Sequence, residues 1–231
     1  MQGKQVLLTG GTGGLGLGVT PLVVRTGAKV TIPYRTEANV KRLKEVLSGT
    51  EFESIRLVQV NLMEESAIAQ LIEDMSRVDV LVHLVGGFAM GRVEEYSTDD
   101  WHKDFNLNVH TTFLACKYCL QKMRANGYGR IITIGSRGAV QPAGQLGSYC
   151  ATKAAVVALT KAIAEENKDL DITANSILPS VIDTPTNREA MGEDQADQWV
   201  KPQSIGEVVT LLGSEEAREI RGAAIPVYGV M

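Results

Sequence analysis

The sequence has little of several features that would mark a specialised protein. Its 231 residues include only three cysteines, an odd number that cannot form a disulfide framework. Acidic residues outnumber basic ones by 27 to 23, so no overall positive field favours nucleic acid or an anionic membrane surface. No apolar run reaches the roughly 18 residues of a spanning helix, and the first residues lack the pattern of a secretory signal. We therefore expect a cytoplasmic protein with no membrane span and no nucleic-acid partner.

The sequence does have an ordinary globular composition and a regular alternation of elements. Hydrophobic residues make up 44% and charged residues 22%, and the length allows a substantial core. Strand-like apolar runs alternate with helical periodicity from end to end, without a linker, a repeat or a change in composition. The runs are apolar on both faces, as in a parallel sheet covered by helices on both sides. The sequence predicts an α/β fold, a single Rossmann domain over residues 1–231 with a doubly wound, seven-stranded parallel sheet.

The boundaries of these elements follow from the hydrophobic pattern. The predicted strands cover residues 5–9, 28–33, 54–62, 79–85, 129–136, 172–178 and 223–227. A first predicted helix ends near residue 24, and others cover residues 37–47, 64–75, 99–125, 148–168 and 204–212. Residues 179–201 are polar and weakly periodic, which predicts a loop with at most one short helix. We place the substrate loop at about residues 180–201.

A glycine-rich turn follows the first predicted strand. The stretch GGTGGLGLG has six glycines in nine positions, where a strand passes into a helix. Glycine lets the chain turn sharply and lets a pyrophosphate approach the helix N-terminus without a Cβ in the way. A turn that is merely tight is the alternative, and the βαβ unit that follows favours a dinucleotide. The expected contacts are Gly10, Thr12, Gly13, Gly14, Leu15 and Gly16.

The end of the second predicted strand bears on the choice of dinucleotide. An acidic residue normally binds the adenosine ribose there, but this chain has Tyr34 followed by Arg35. Without a carboxylate to repel a 2′-phosphate, and with a guanidinium to bind it, NADP(H) is favoured. NAD(H) is the alternative, in which Arg35 is only a solvated residue at a helix start.

Tyr149 and Lys153 are four residues apart, so a helix places them on one face. A nearby ammonium favours the phenolate and is expected to lower a tyrosine pKa from its ordinary value of ~10. Such a phenol can give or take a proton near neutral pH. Ser136 ends the fifth predicted strand and can supply a hydroxyl to the same place. The isolated pair recurs by chance on helix faces, so the surrounding pattern decides its meaning.

Together these motifs resemble the short-chain dehydrogenase/reductase family over nearly the whole chain. The TGxxxGxG turn of that family matches Thr9, Gly10, Gly14 and Gly16, and its YxxxK pair matches Tyr149 and Lys153 with Ser136 at the usual distance upstream. The segment FNLNVHTTF resembles the one that carries the catalytic asparagine of the family. That residue is Asn108, with Asn106 as the alternative. The overall pattern is closest to 3-oxoacyl-carrier-protein reductases.

The resemblance implies an enzyme that interconverts a carbonyl and a secondary alcohol. Tyr149 would be the general acid or base, and Lys153 would bind the nicotinamide ribose and lower the tyrosine pKa. Ser136 would bind the substrate oxygen, and Asn108 would hold a water that relays protons. The substrate would be a small carbonyl or alcohol, including a ketone or a 3-oxoacyl thioester. Family members commonly pair the helices at 99–125 and 148–168, so a homo-oligomer, a tetramer or dimer, is expected.

The resemblance also implies further cofactor contacts, some at positions that depart from the family pattern. HLVG replaces the usual Asn-Asn-Ala-Gly, Pro179-Ser180 replaces Pro-Gly, and Tyr228-Gly229 replaces Gly-Gly. His83 either reaches the adenosine ribose or is buried and bonded to backbone. The implied contacts are Asn61, Leu62, His83, Val85, Gly86, Pro179, Val181, Ile182 and Thr184.

Two rival functions remain open at this stage. The first is a dinucleotide-binding scaffold or regulatory protein that has lost catalysis. The second is a thiol redox protein using Cys116 and Cys119. This CxxC lies in a predicted helix, and no second pair or histidine follows at metal-ligand spacing, so we expect no metal site. Between Ser136 and Tyr149, the candidates for substrate contact are Arg137, Gln141 and Gln145, and the alternative is that they only form a polar loop.

Overall fold

A computed structural model of the chain describes residues 1–230, so the predicted domain end at Met231 lies outside the described residues. The strands are β1 (Gln5–Thr9), β2 (Lys29–Tyr34), β3 (Arg56–Gln59), β4 (Val80–His83), β5 (Tyr128–Ile134), β6 (Asp171–Pro179) and β7 (Ala224–Val227). Among the described residues they form one sheet of seven strands in the order β3-β2-β1-β4-β5-β6-β7. All neighbouring strands are parallel.

The helices lie between the strands and cover both faces of the sheet. They are α1 (Gly16–Arg25), α2 (Glu37–Val46), α3 (Gly49–Glu53), α4 (Glu65–Glu73), α5 (Thr98–Phe105), α6 (Thr111–Asn126), α7 (Gly147–Glu166), α8 (Pro185–Met191) and α9 (Pro202–Leu212). No helix within residues 1–230 combines the length and the hydrophobicity needed to cross a bilayer.

The core divides into two hydrophobic clusters, one on each face of the sheet. Leu7 packs in the cluster with α4 and α6, whereas the next residue, Leu8, packs in the cluster with α1 and α9. Leu81 and Val82 on β4 separate in the same way. Successive strand residues point to opposite faces, so a strand buried on both faces is apolar throughout. The predicted doubly wound fold is confirmed.

The winding of the sheet reverses at β1. This strand pairs with β2 on one side and with β4 on the other; the chain first adds β2 and β3 on one side and then crosses over to add β4 to β7 on the other. Ligands of such sheets bind outside the carboxyl ends of the strands at this reversal. The chain segments that follow β1, β4, β5 and β6 all emerge at that edge.

Several predicted boundaries were wrong. The helix predicted over 99–125 is interrupted by a π-helical turn at Asn106–His110, which separates α5 from α6. Thr111 and Thr112 donate side-chain hydrogen bonds to the carbonyl oxygens of Leu107 and Asn108, both at 2.6 Å, and so take part in the distorted turn. Hydrophobic periodicity cannot detect one extra residue in a helical turn. The fourth and fifth strands also end two residues earlier than predicted, at His83 and Ile134.

Candidate active site

A cavity of about 710 Å³ lies at the carboxyl edge of the sheet. Its wall contains the end of the glycine turn, the segment after β4, the start of α7 and the segment after β6. The predicted site residues on this wall are Gly14, Leu15, Gly86, Ser136, Tyr149, Lys153, Pro179, Val181, Ile182 and Thr184. The fold therefore brings the glycine turn and the tyrosine–lysine pair to one space.

The glycine turn is packed so closely that side chains have no room at two positions. Gly10 has a φ of +74°, and a Cβ there would lie 3.0 Å from the backbone of Leu84 and Val85. A Cβ on Gly16 would lie 2.3 Å from the carbonyl oxygen of Gly10. Helix α1 begins at Gly16 without a side-chain cap. The partial positive charge at its N-terminus is therefore available to an anion. The turn fits a pyrophosphate group, which needs a close backbone approach and N–H donors.

Ser136 and Tyr149 lie next to each other on the cavity wall. Ser136 precedes a short 3₁₀ turn at Arg137–Ala139, and its Oγ accepts the N–H of Gly138 at 3.1 Å. Burial raises the pKa of the Tyr149 phenol, and the neighbouring Ser136 hydroxyl lowers it in part. The Tyr149 ring packs edge-on against Phe88 with centroids 5.5 Å apart. Phe88 therefore borders the ring that carries the phenol oxygen.

Lys153 lies one turn after Tyr149 on α7, but its side chain bonds the backbone of β5 rather than the phenol. Its Nζ donates to the carbonyl oxygen of Ile134 at 2.9 Å and lies 5.9 Å from the centroid of the Tyr149 ring. The side chain is buried, with 5% of its surface exposed, and burial lowers its pKa to about 8. The predicted lowering of the Tyr149 pKa by Lys153 was wrong for this structure, because burial raises the pKa of the phenol and Lys153 is bonded to the carbonyl oxygen of Ile134 instead.

The low pKa of Lys153 makes stability depend on pH. It is about 8 in the folded protein against an ordinary 10.5, so between these values the unfolded chain binds more protons. The free energy of unfolding therefore rises with pH across this window. The destabilisation caused by burying the charged Lys153 is fully present below a pH of about 8. The free energy of unfolding of Lys153→Met minus that of the wild type should therefore be larger at pH 7 than at pH 10, by roughly 2 to 3 kcal/mol. Urea unfolding at both pH values measures this change.

Lys161→Met is the control for that experiment, because Lys161 is exposed on the same helix α7. It removes a lysine from the same helix and should not reproduce the result expected for Lys153→Met. Parallel stability curves for Lys153→Met and the wild type would show that the buried amine does not titrate in this range.

The structure distinguishes between the two candidate asparagines. Asn106 is exposed, whereas Asn108 is 1% exposed and turns inward from the π-helical turn. Its Oδ1 accepts the N–H of Gly87 at 2.9 Å. A Cβ on Gly86 would lie 2.8 Å from this Oδ1 and 3.0 Å from Lys153 Nζ, so a side chain there would fall between the two groups. Asn108 therefore lies next to Lys153 but behind the cavity wall.

The predicted adenosine contacts lie at the ends of β2 and β3, away from this cavity. Tyr34 donates its hydroxyl hydrogen to Glu37 at 2.7 Å, and Arg35 beside it is exposed. Asn61 is also exposed, and its side chain bonds Glu64 and the N–H of Met63. The other predicted contacts outside the cavity wall are Gly10, Thr12, Gly13, Gly16, Leu62 and Val85.

His83 is buried, which corresponds to the second of the two alternatives rather than to a contact with the adenosine ribose. It is 1% exposed, and its Nδ1 lies 2.8 Å from Thr9 Oγ1 while its Nε2 lies 3.4 Å from Thr111 Oγ1. Burial, with a smaller effect of Lys153, lowers its pKa to about 3, so the ring is neutral. The partners are side-chain hydroxyls rather than the backbone groups expected. His83 thus links β1, β4 and the start of α6.

Several wall residues had no recognisable sequence pattern. The chain after β4 brings Phe88 and Met90, and the substrate loop brings Thr186, Asn187 and Met191. Of the three polar candidates near Ser136, Arg137 and Gln141 line the cavity, whereas Gln145 does not. Loop residues follow no hydrophobic period, so only the glycines before Phe88 hinted at a ligand nearby.

The departures from the expected loop motifs have local explanations. Ser180 donates its hydroxyl hydrogen to the carbonyl oxygen of Tyr228 at 2.7 Å and so ties the segment after β6 to the one after β7. Thr184 caps α8 by accepting the N–H of Asn187 at 3.3 Å.

Cys116 and Cys119 are buried, and burial raises the pKa of the Cys116 thiol to about 12. The thiol redox alternative was therefore wrong.

Comparison with known proteins places the chain in a family. A family model described as short chain dehydrogenase matches residues 4–195. This match and the NADP-bound structural neighbour support an oxidoreductase that uses a nicotinamide dinucleotide. The chain belongs to the short-chain dehydrogenase family, whose members act on CH–OH or carbonyl groups.

Individual relatives are distant but match over nearly their full length. The 3-oxoacyl-[acyl-carrier-protein] reductase FabG of Rickettsia felis is 28% identical, with 100% of this chain and 98% of FabG aligned. The D-beta-hydroxybutyrate dehydrogenase of Cupriavidus necator is 28% identical, with 96% and 95% aligned. The structure of ElxO with NADP bound has a TM-score of 0.90 at 27% identity, covering 99% of this chain and 98% of ElxO.

Proposed function

We propose that this protein interconverts a carbonyl and a secondary alcohol with NADP(H), using Tyr149 as the general acid or base. The observation that carries the proposal is that Ser136, Tyr149 and Lys153 line the same cavity as the glycine turn. A phenol, a hydroxyl and an ammonium at one end of a dinucleotide site are the groups that carbonyl reduction requires from a protein. The departures in HLVG and Pro-Ser leave these three side chains in place.

The nicotinamide would supply or accept the hydride when bound, and the residues of the chain control the proton. In reduction, the Ser136 hydroxyl donates a hydrogen bond to the carbonyl oxygen, and the Tyr149 phenol gives its proton to that oxygen as negative charge develops. Lys153, buried on the same wall, would hold the nicotinamide ribose when the dinucleotide is bound. Asn108, beside Lys153 and next to Gly86 and Gly87, holds the π-helical turn against the wall. Oxidation of the alcohol reverses these transfers.

The direct test is oxidation of NADPH in the presence of a panel of ketones, 3-oxo acids and 3-oxoacyl thioesters. The relatives named FabG and D-beta-hydroxybutyrate dehydrogenase make the last two classes the first to try. Turnover with one class and dependence on Tyr149 would support the proposal. Binding of NADPH without turnover of any carbonyl would favour the dinucleotide-binding scaffold instead.

We propose NADP(H) rather than NAD(H) because of Arg35. Its exposed guanidinium follows directly after β2 and precedes the N-terminus of α2, a region that favours an anion. The Thr36 N-cap of α2 makes no side-chain cap hydrogen bond. A 2′-phosphate at this corner would meet the guanidinium, the helix terminus and the Thr36 hydroxyl. The nearby Glu37 carboxylate, bonded to Tyr34, opposes this preference.

Arg35→Gln should lower the preference for NADPH over NADH about tenfold or more, because a charge-assisted bond to the phosphate is lost. Titration of each dinucleotide into the protein measures the ratio of dissociation constants. Arg42→Gln is the control, since Arg42 lies on α2 and bonds Asn39. If both variants change the ratio equally, the general charge of the region decides the preference, and Arg35 has no special role.

We also propose a cytoplasmic homo-oligomer that pairs through α5, α6 and α7. Trp101 on α5 and Phe113 on α6 are exposed large apolar side chains, at 40% and 46%. Exposed aromatic groups on adjacent helices are typical of surfaces that a second subunit covers. The mass in solution should then be two or four times that of the 24.9 kDa chain.

A further inference from the structure

Three large apolar side chains on the cavity wall are exposed to solvent. Phe88, Met90 and Met191 are 41%, 57% and 50% exposed, and all three line the cavity. Two of them come from the segment after β4, and the third is the last residue of α8. Exposed apolar side chains around a concave space are typical of a ligand site, because each is removed from water when a ligand covers it. We call these three residues the apolar mouth.

Helix α8 separates part of the apolar mouth from the glycine turn. A Cβ on Gly14 would lie 3.2 Å from Thr184 Cβ, so the turn adjoins the residue that caps the start of α8. Met191 ends this helix, which begins at Pro185. At 1.5 Å per residue, Met191 lies roughly 9 Å further along the helix axis than Pro185. Met191 is therefore removed from the dinucleotide end of the cavity by about the length of α8.

The segment after β4 lies next to the proposed proton donor. The Phe88 ring packs edge-on against the Tyr149 ring, with centroids 5.5 Å apart. Gly91 pairs with Leu146 in a parallel β-bridge, and Leu146 lines the cavity and precedes α7, which carries Tyr149. These contacts on both sides of Met90 hold its segment beside the start of α7. The apolar mouth therefore borders the place where a carbonyl would react.

The longer polar side chains of the wall already bond other groups of the protein. Arg137 Nε donates to Gln141 Oε1 at 2.8 Å, and the Arg137 guanidinium lies 5.3 Å from the centroid of the Tyr228 ring. Asn187 Nδ2 donates to the carbonyl oxygen of Ile182 at 2.8 Å. A group that has a partner in the protein gains less from a ligand than a group bonded only to water. A substrate therefore gains little from polar groups beyond its reacting carbonyl.

The side chains of the apolar mouth suit a hydrocarbon body of variable shape. Met90 and Met191 have flexible, polarizable thioethers, which adapt to different apolar surfaces and pack favourably against aromatic rings. Phe88 adds a rigid ring of large apolar area. Each methylene group that a ligand buries against such side chains raises its affinity by up to about fourfold.

We propose that the substrate is an uncharged ketone with an extended hydrocarbon or aryl body, and that the apolar mouth binds this body. This inference rests on the proposed oxidoreductase function and adds the class of its substrate. In reduction, NADPH gives a hydride to the carbonyl carbon, and Tyr149 gives a proton to the carbonyl oxygen. The products are the secondary alcohol and NADP⁺, the phenolate regains its proton from solvent, and the apolar body stays unchanged.

The test compares 2-butanone with 2-octanone, which has the same methyl ketone group and four more methylene groups. The measured quantity is the ratio of kcat/KM for 2-octanone to that for 2-butanone, from NADPH oxidation. We expect a ratio of about tenfold or more in the wild type and a ratio at least about threefold lower in Met90→Gln/Met191→Gln. Both methionines are exposed, so this double variant should keep the fold.

A charged analogue tests whether the body must be apolar. The ketone 7-oxooctanoate has the carbon chain of 2-octanone with a carboxylate in place of the terminal methyl group. Its kcat/KM in the wild type should be at least about fivefold lower than that of 2-octanone, because a carboxylate is costly to move from water to an apolar wall. Equal or faster reduction of 7-oxooctanoate would contradict the proposal.

Val46→Gln/Leu211→Gln is the matched control. Both side chains are exposed and apolar, they lie on α2 and α9, and neither lines the cavity. This variant should keep the wild-type ratio, and NADPH should bind the wild type and both double variants with the same dissociation constant. The proposal is overturned if the wild type does not prefer 2-octanone, or if the two double variants change the ratio alike. It is also overturned if the methionine variant loses affinity for NADPH, or changes the mass in solution while the ratio stays constant.

A failure of the proposed function has a different outcome, in which the wild type reduces no carbonyl compound at all. Calorimetry then tests the apolar mouth without turnover, with 2-butanone and 2-octanone titrated into protein with NADP⁺, which has no hydride to give. Binding of 2-octanone that is at least about tenfold tighter than that of 2-butanone, and that weakens in Met90→Gln/Met191→Gln, supports the apolar site. Equal or absent binding of the two ketones to the wild type overturns it.

Discussion

Tyr149→Phe should lower kcat/KM for carbonyl reduction by about 10² to 10⁴, the usual contribution of a general acid. The variant removes only the phenol oxygen, because the ring keeps its edge-on packing against Phe88. Ser136 and Lys153 keep their own contacts with Gly138 and with the carbonyl oxygen of Ile134. The loss should therefore appear mainly in kcat, while the dissociation constant for NADPH changes little.

Tyr118→Phe is the matched control for this variant. Tyr118 also loses a single hydroxyl, which bonds Glu65 at 2.8 Å on the outer surface of α6, far from the cavity wall. Steady-state kinetics and NADPH titration should show wild-type behaviour for it. Full turnover by Tyr149→Phe would falsify the assignment of the proton donor and leave Ser136 or a water in that role.

Gly16→Ala should destabilise the fold by about 3 kcal/mol and abolish measurable binding of NADPH. The new Cβ would lie 2.3 Å from the carbonyl oxygen of Gly10 and 2.5 Å from two backbone atoms of Gly11. Backbone atoms cannot move aside as the end of a flexible side chain can, so the whole turn between β1 and α1 must shift. That shift would displace the N–H groups at the start of α1 from their positions toward a pyrophosphate.

Gly49→Ala makes the same chemical change where there is space. No atom lies within 4 Å of a Cβ built on Gly49, and this residue begins α3 at the surface. Alanine there should be neutral or stabilising by up to about 1 kcal/mol, because glycine is the poorer helix former. Urea unfolding gives the stability of both variants, and titration gives the affinity for NADPH. If Gly16→Ala matched Gly49→Ala in both, close packing of the turn would not govern binding.

The two effects differ in kind, which makes the pair informative. Tyr149 acts on the reacting oxygen and should affect the rate with little change in stability. Gly16 acts on the backbone and should affect stability and dinucleotide binding together. A protein that showed the second effect but not the first would fit a dinucleotide-binding scaffold.

The site could be foreseen where short-range pattern and chemistry coincide. Glycines after the first strand, the spacing of Tyr149 and Lys153, and a serine at the end of the fifth strand are all local features. They point to one place because parallel strands end at a common edge. The observed cavity wall brings together Gly14, Ser136, Tyr149 and Lys153 as that argument expects.

What was missed depended on packing between distant segments. The π-helical turn that carries Asn108 adds one residue to a helical repeat, and its threonine bonds form only within the folded helix. His83 is buried against Thr9 and Thr111, which come from two other parts of the chain. The balance of burial and charge at Tyr149 likewise depends on how far the wall excludes water from the phenol.

By itself, the sequence determined the fold class and the order of the elements, because strand and helix periods act within a few residues. It also determined the chemical groups of the proposed site, because their spacing in the chain fixes their places at the ends of strands. Only the tertiary structure decided which groups are buried, and therefore the direction of the pKa of Tyr149 and the role of His83. It also decided that Arg137 and Gln141 line the cavity, whereas Gln145 does not. Burial and local electric field are sums over residues far apart in sequence, so no local pattern contains them.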